Sequence, residues 1–217
     1  MSRRITSPVD PFAPARWELS RGHTVLVVID PQNDFLHEEG WYAQQGIDIS
    51  HMRRTLEPTK KLVAEARQKG VPVVWTRHGY ADASEAGPFL ELRPFLRDGG
   101  LRRGTWGWEL HDELGVQPED PIVEKTRLSA FFNTNLEDVL RDLGAETVLI
   151  AGVLTNQCVA ATSKDAGFRD FKPIVVEECT GTTLPHLHAP AIAMMRVGWA
   201  EVRGVAEAID DLRRLAA

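Results

Sequence analysis

Apolar residues along the chain gather in short dense runs separated by segments of helical period. Thr24-Val25-Leu26-Val27-Val28-Ile29 is apolar without alternation and stops at Asp30-Pro31. A continuous β-branched run of this length suits a strand covered on both faces in a parallel sheet, so it is predicted as a central strand. From Ser50, the expected cap, to about Lys69 the residues Met52, Leu56, Leu62, Val63 and Ala66 recur at roughly helical spacing. Pro58 predicts a kink or a late start in that helix. Gly70 closes it, and residues 71–76 read as the next strand, completing a β-α-β unit.

Between residues 77 and 107 the periodicity gives way to Gly, Pro and charge, and an irregular segment this long is expected to cover a site. The pattern then resumes with strands at 121–124, 147–151, 173–177 and 199–202. Helices are predicted from Thr134, with Glu137 closing a capping box, from near Thr155, over 189–197 and over 205–215. Strand and helix alternate with no repeat, low-complexity tract or linker. The expectation is a single α/β domain over 1–217, a three-layer α/β/α sandwich on a mostly parallel, Rossmann-like sheet. Residues 1–20 form an extended N-terminal arm in this reading.

Charge and cysteine content narrow the partners. Lys and Arg number 25 against 31 Asp and Glu, for a net charge of −6 with both signs interspersed, so no basic stripe for nucleic acid is present. No apolar run is long enough to cross a bilayer, and no apolar stretch follows Arg3 and Arg4 as a secretory signal requires. With two cysteines, Cys158 and Cys179, the chain is read as a cytoplasmic protein with separate thiols. Neither a Gly-rich dinucleotide loop, a P-loop, a C-x-x-C pair nor an H-E-x-x-H helix occurs, so no organic cofactor is expected.

In parallel α/β folds ligands collect at the carboxyl ends of strands, beside the point where strand order reverses. Asp30 follows the first strand, Lys125 follows the 121–124 strand, and Cys158 falls in the first turn of the helix after the 147–151 strand. Free N–H groups and the helix dipole favour a thiolate there. Asp30 is positioned to take the thiol proton and return it to a leaving amine, with Lys125 stabilising the charged states. The backbone N–H groups of Leu154 and Cys158 are candidate oxyanion donors. Each side chain has a structural alternative: a buried apolar thiol, a turn-forming Asp before Pro, a solvated Lys.

Three motifs narrow the choice. They are Val27-Val28-Ile29-Asp30-Pro31-Gln32-Asn33-Asp34-Phe35, then Glu124-Lys125-Thr126-Arg127-Leu128-Ser129-Ala130-Phe131, then Gly152-Val153-Leu154-Thr155-Asn156-Gln157-Cys158-Val159. In this order the chain resembles the isochorismatase-like cysteine hydrolases, a group that includes nicotinamidases, N-carbamoylsarcosine amidohydrolase, biuret hydrolase and ureidoacrylate amidohydrolase. The resemblance implies an Asp30, Lys125, Cys158 catalytic triad, a cis peptide between Val153 and Leu154 that makes the Leu154 N–H an oxyanion donor, and a homo-oligomer.

Departures within the family point to a branch. Thr76-Arg77-His78-Gly79-Tyr80 lacks the acid-x-His metal pair of nicotinamidases, so no metal is expected. A cysteine at position 158 argues against cleavage of isochorismate itself. The stretches 104–110 and 131–134 are similar to ureidoacrylate amidohydrolase, and 10–17 with 76–79 to biuret hydrolase. Leu128 stands where biuret hydrolases carry a second Lys. The expected activity is cleavage of a C–N bond in a small ureido, N-carbamoyl or linear amide compound through a thioester.

Phe35, Trp106, Trp108 and Phe131 are candidates for an aromatic wall around such a substrate, and Arg77, His78 and Tyr80 for its polar recognition. Arg127 is read as structural, as are His186, His188 and Cys179. Two other readings stay open on sequence alone: a nicotinamidase or other cyclic-amide hydrolase, and a non-catalytic binding module on the same scaffold.

Overall fold

Six strands, β1 Thr24–Ile29, β2 Val73–His78, β3 Ile122–Lys125, β4 Thr147–Val153, β5 Lys172–Gly181 and β6 Glu201–Arg203, pair side by side in the computed structural model, which describes residues 16–215. Their order is β3-β2-β1-β4-β5-β6, and every adjacent pair is parallel. The helices that cover the sheet are α1 Leu56–Gln68, α2 Leu136–Asp142, α3 Ala160–Gly167, α4 His188–Gly198 and α5 Val205–Arg213.

The unbroken apolar run of β1 is explained by this layering. Leu26 and Val28 enter a core with Leu62, Val63 and Ala66 of α1 and Ala208 and Leu212 of α5. Val25, Val27 and Ile29 enter a second core on the other face with Leu136 and Leu140 of α2, Ala166 of α3, and Ile192 and Met195 of α4. Full burial of each such Val, Leu or Ile is worth about 1.5–3 kcal/mol, so β1 is anchored from both sides. The chain winds outward from β1 through β2 to β3 and then restarts on the opposite side of β1 with β4. The crevice at the carboxyl ends of β1 and β4 is therefore the topological switch point. Gly152 sits at this junction with φ +110°, where an added Cβ would fall 2.0 Å from the Ile29 carbonyl oxygen.

Several boundaries differ from the sequence reading. β2 runs to His78, two residues further than expected, because Arg77 and His78 continue the ladder opposite Glu124 and Lys125. Lys125 is accordingly the last residue of β3 and not the first beyond it. The helix expected from Ser50 splits into Ser50–Arg53 and α1. This break places Pro58 in the first turn of α1, where its missing N–H has no helical partner to lose. Ser50 does not cap: it is the first helical residue, its own N–H bonding the Asp48 side chain. No capping box forms at Thr134 either, since Glu137 turns outward to Arg141 and Arg169. The segment over 77–107 begins inside β2 and includes two one-turn helices, Ala83–Ala86 and Phe89–Leu92. Most of the arm expected over 1–20 lies outside the described residues. At its end, the Trp17 N–H donates to Glu201 at 2.7 Å.

Candidate active site

Asp30 terminates β1 in a left-handed backbone conformation, φ 49°. Thr76 of β2 fixes it twice, accepting the Asp30 N–H at 3.0 Å and donating its hydroxyl to Oδ1 at 2.5 Å. Lys125 comes from the edge strand β3 and reaches past β2 to place Nζ 2.7 Å from Asp30 Oδ2. The same ammonium lies 3.3 Å from Cys158 Sγ, 3.0 Å from the Arg127 carbonyl and 3.2 Å from the Leu128 carbonyl. Cys158 is carried by a wide π-type turn, Thr155–Val159, between β4 and α3. Asp30, Lys125 and Cys158 are thus brought together at the switch point, all three buried. The peptide between Val153 and Leu154, which leads into the turn, is cis.

The electrostatics of this cluster follow from burial. Removal from water pushes the Cys158 thiol up to about 12, Lys125 opposing and Asp30 reinforcing the shift. Burial acts to lower the pKa of Lys125, but Asp30 and Cys158 outweigh it, and the value is raised. Burial thus disfavours the thiolate, and the Lys125 ammonium beside the sulfur works in the opposite sense.

His78, at the end of β2, joins the cluster. Its Nδ1 is 3.9 Å from Cys158 Sγ and its Nε2 2.8 Å from the Tyr80 hydroxyl. Burial, followed by the Lys125 charge, holds the imidazole well below its usual value, against the Thr126 carbonyl, which favours protonation. Gln32, to which sequence reasoning assigned no role, fixes the His78 peptide: its Oε1 accepts the His78 N–H at 2.8 Å and its Nε2 donates to the His78 and Trp108 carbonyls at 2.9 Å each. Phe89 of the cover, also missed, stands with its ring centre 6.0 Å from that of His78.

The other candidate residues are placed elsewhere. Arg77 is adjacent to His78 on a strand, so its side chain leaves the opposite face. It bonds Glu109 at 2.7 Å and Glu124 at 3.0 Å and lies over the Trp108 ring at 3.7 Å. Its charge is already neutralised, which corrects its assignment to a substrate carboxylate. Trp108 serves as the floor of that stack. Trp106 is half exposed, edge-on to His37, and a wall that excludes water is not built from it. Phe35 packs on Tyr42 with ring centres 4.7 Å apart, and Phe131 stacks on Phe171 at 6.0 Å, both as core contacts.

Arg127 donates to the Glu85 carbonyl at 3.0 Å and ties the cover to the loop after β3. His188 bonds Thr155 at 3.0 Å at the start of the turn that carries Cys158. Cys179 is buried on the α1 side, and burial pushes its thiol up to about 12. Among the described residues, donor atoms of Asp30, His78 and Cys158 lie within 4.8 Å of one another. The Lys125 ammonium is bonded to two of these three groups, and its fixed charge opposes a cation there. No helix among the described residues is long and apolar enough to cross a membrane.

Comparison with known proteins places the chain in a family. A ureidoacrylate amidohydrolase (RutB) from Agrobacterium fabrum is 35% identical over 78% of this chain and 81% of its own length. A RutB from Klebsiella pneumoniae is 32% identical over 87% of this chain and 83% of its own. A cysteine hydrolase from Pseudomonas syringae superposes with a TM-score of 0.84 at 26% identity, covering 92% of this chain and 97% of that one. N-carbamoylsarcosine amidase from Thermoplasma acidophilum gives a TM-score of 0.67 at 29% identity, covering 84% and 96%. The model of the isochorismatase domain matches residues 24–207, from the first residue of β1 into α5, and on that extent the chain belongs to the isochorismatase family.

Proposed function

We propose that the protein is a cysteine-dependent amidohydrolase that cleaves a C–N bond of a small ureido, N-carbamoyl or linear amide compound through a thioester. The observation that carries this reading is the Lys125 ammonium, which bridges the Asp30 carboxylate at 2.7 Å and the Cys158 sulfur at 3.3 Å out of contact with solvent. The relatives named for ureidoacrylate and the structural neighbour named for N-carbamoylsarcosine support the substrate class.

A thiol pushed up to about 12 needs a base to become a nucleophile, and Asp30 is that base. The proton moves from Sγ to the carboxylate while Lys125 stays charged, so the net charge of the dry cluster is unchanged. The sulfur attacks the carbonyl carbon, and the oxyanion faces the backbone N–H groups of Leu154 and Cys158. Collapse expels the amine or ammonia, which takes the proton from Asp30. Water activated by the same carboxylate then hydrolyses the thioester and restores the thiol. Cys158 is only 3% exposed, so substrate enters when the cover over residues 79–108 moves.

Replacing Cys158 by Ala is expected to lower turnover by about 10⁴-fold or more with the fold retained. The measurement is ammonia release over a panel of ureas, carbamoylated acids and linear amides. Activity of the variant comparable with wild type on the best substrate would end the proposal.

A further inference from the structure

The Lys125 ammonium has three protons, yet four acceptors surround it: Asp30 Oδ2, the Arg127 and Leu128 carbonyls, and Cys158 Sγ at 3.3 Å. Sulfur therefore competes with three oxygens for three protons. A thiolate formed in this crevice, where water is excluded, calls for another donor.

His78 is placed to supply it. Tyr80 is fully buried, and among the described residues its hydroxyl meets one partner, His78 Nε2 at 2.8 Å. A buried O–H without an acceptor is costly, so Tyr80 donates and Nε2 accepts. A neutral imidazole that accepts at Nε2 carries its proton on Nδ1, the nitrogen 3.9 Å from Sγ, and shares it between the Thr126 carbonyl and the sulfur. Burial and the Lys125 charge keep the ring neutral, which leaves it a donor towards sulfur and not a competing base. Gln32 fixes the backbone from which the ring projects by bonding both the N–H and the carbonyl of His78.

We propose that His78 is a second hydrogen-bond donor to the Cys158 sulfur, stabilising its thiolate through Nδ1–H in the tautomer that Tyr80 selects. The proposal rests on Cys158 being the nucleophile. The contact tightens as charge develops on sulfur, while the proton of the thiol itself still goes to Asp30. The charged and titratable groups around the sulfur are Asp30 from β1, His78 and Tyr80 from β2 and the turn after it, Lys125 from β3, and more remotely Tyr42 and Arg127.

The first readout needs no substrate. Site-resolved alkylation of Cys158 by iodoacetamide is followed by mass spectrometry from pH 7 to 10 in the wild type and in His78→Leu, His78→Asn and Tyr80→Phe. His78→Leu is expected to slow alkylation about tenfold at a given pH and to lower kcat by a similar factor with a smaller change in KM. In His78→Asn the amide N–H stands near the former Nδ1–H and restores most of the rate. Tyr80→Phe frees the tautomer and gives a loss of severalfold. An unchanged alkylation profile in a folded His78→Leu, or His78→Asn as slow as His78→Leu, overturns the proposal. So does a rise in KM alone. If His78→Leu does not fold, Tyr80→Phe decides in the same way, with an unchanged rate counting against. A Cys158→Ala variant that keeps its turnover would instead remove the nucleophile reading, whatever the alkylation series shows.

Discussion

Two of the places where charge is buried in this protein are built differently. At the far edge of the sheet Arg203 of β6 has a side chain 1% exposed. It bonds Glu201 through Nε at 2.6 Å and a terminal nitrogen at 3.1 Å, Asp211 at 2.9 Å, and the Trp17 carbonyl. Arg16 approaches the same carboxylates from outside. The side-chain donors there are permanent cations meeting fixed acceptors, and the cluster holds the residues ahead of β1 against the sheet. At the switch point Lys125 is as deeply buried, but one of its contacts is the Cys158 thiol, whose proton the proposed mechanism passes to Asp30. Burial of an ion pair marks a structural commitment in both places. A group left able to exchange a proton distinguishes the second.

Breaking each pair separates the two roles. Lys125→Met is expected to lower kcat by about 10³-fold or more, since both the thiolate and the Asp30 carboxylate lose their counter-charge. Arg203→Met is expected to lower the unfolding free energy by about 3–5 kcal/mol, measured by urea titration, because two buried carboxylates lose their partner. Its kcat per folded molecule should stay within about twofold of wild type. A comparable loss of turnover in the Arg203 variant would erase the distinction.

The smallest effect concerns acid. His51, His78, His111 and His188 are each held below their usual 6.5, burial being the first cause in all four. Below about pH 6.5 the unfolded chain takes up protons that the fold refuses, so this stability is present above that pH and lost as pH falls. The urea midpoint should drop between pH 7 and pH 5. A midpoint that does not change would mean these rings are solvated.

Much of the fold was legible because continuous apolar runs such as 24–29 and 147–151 suit only a sheet covered on both sides. Asp30, Lys125 and Cys158 were legible as candidates by their places at strand ends and within three motifs. Their meeting was not, because sequence does not give strand order. Lys125 belongs to the edge strand, two positions from β1, and its long stem bridges a gap that only the sheet arrangement defines. Ending β2 at residue 76 hid the alternation that turns His78 inward and Arg77 outward. Gln32 could be suspected of hydrogen-bonding within the site but not given a role, because its partners are backbone atoms 46 and 76 residues away. Arg203 was unreadable too, since a charge in a three-residue strand gives no sign of the carboxylates that will surround it.

The left-handed backbone at Asp30 restricts which residues this position can accept. Short polar side chains such as Asp and Asn enter that region at little penalty, whereas longer or branched ones resist it. Glutamate, which preserves the acid, is therefore disfavoured twice, by its extra methylene and by the torsion. A saturation library at position 30 should yield Asn as the best-folded replacement and Glu as a poor one, so the mildest lesion available to the experimenter is also the one that deletes the carboxylate proposed as the base.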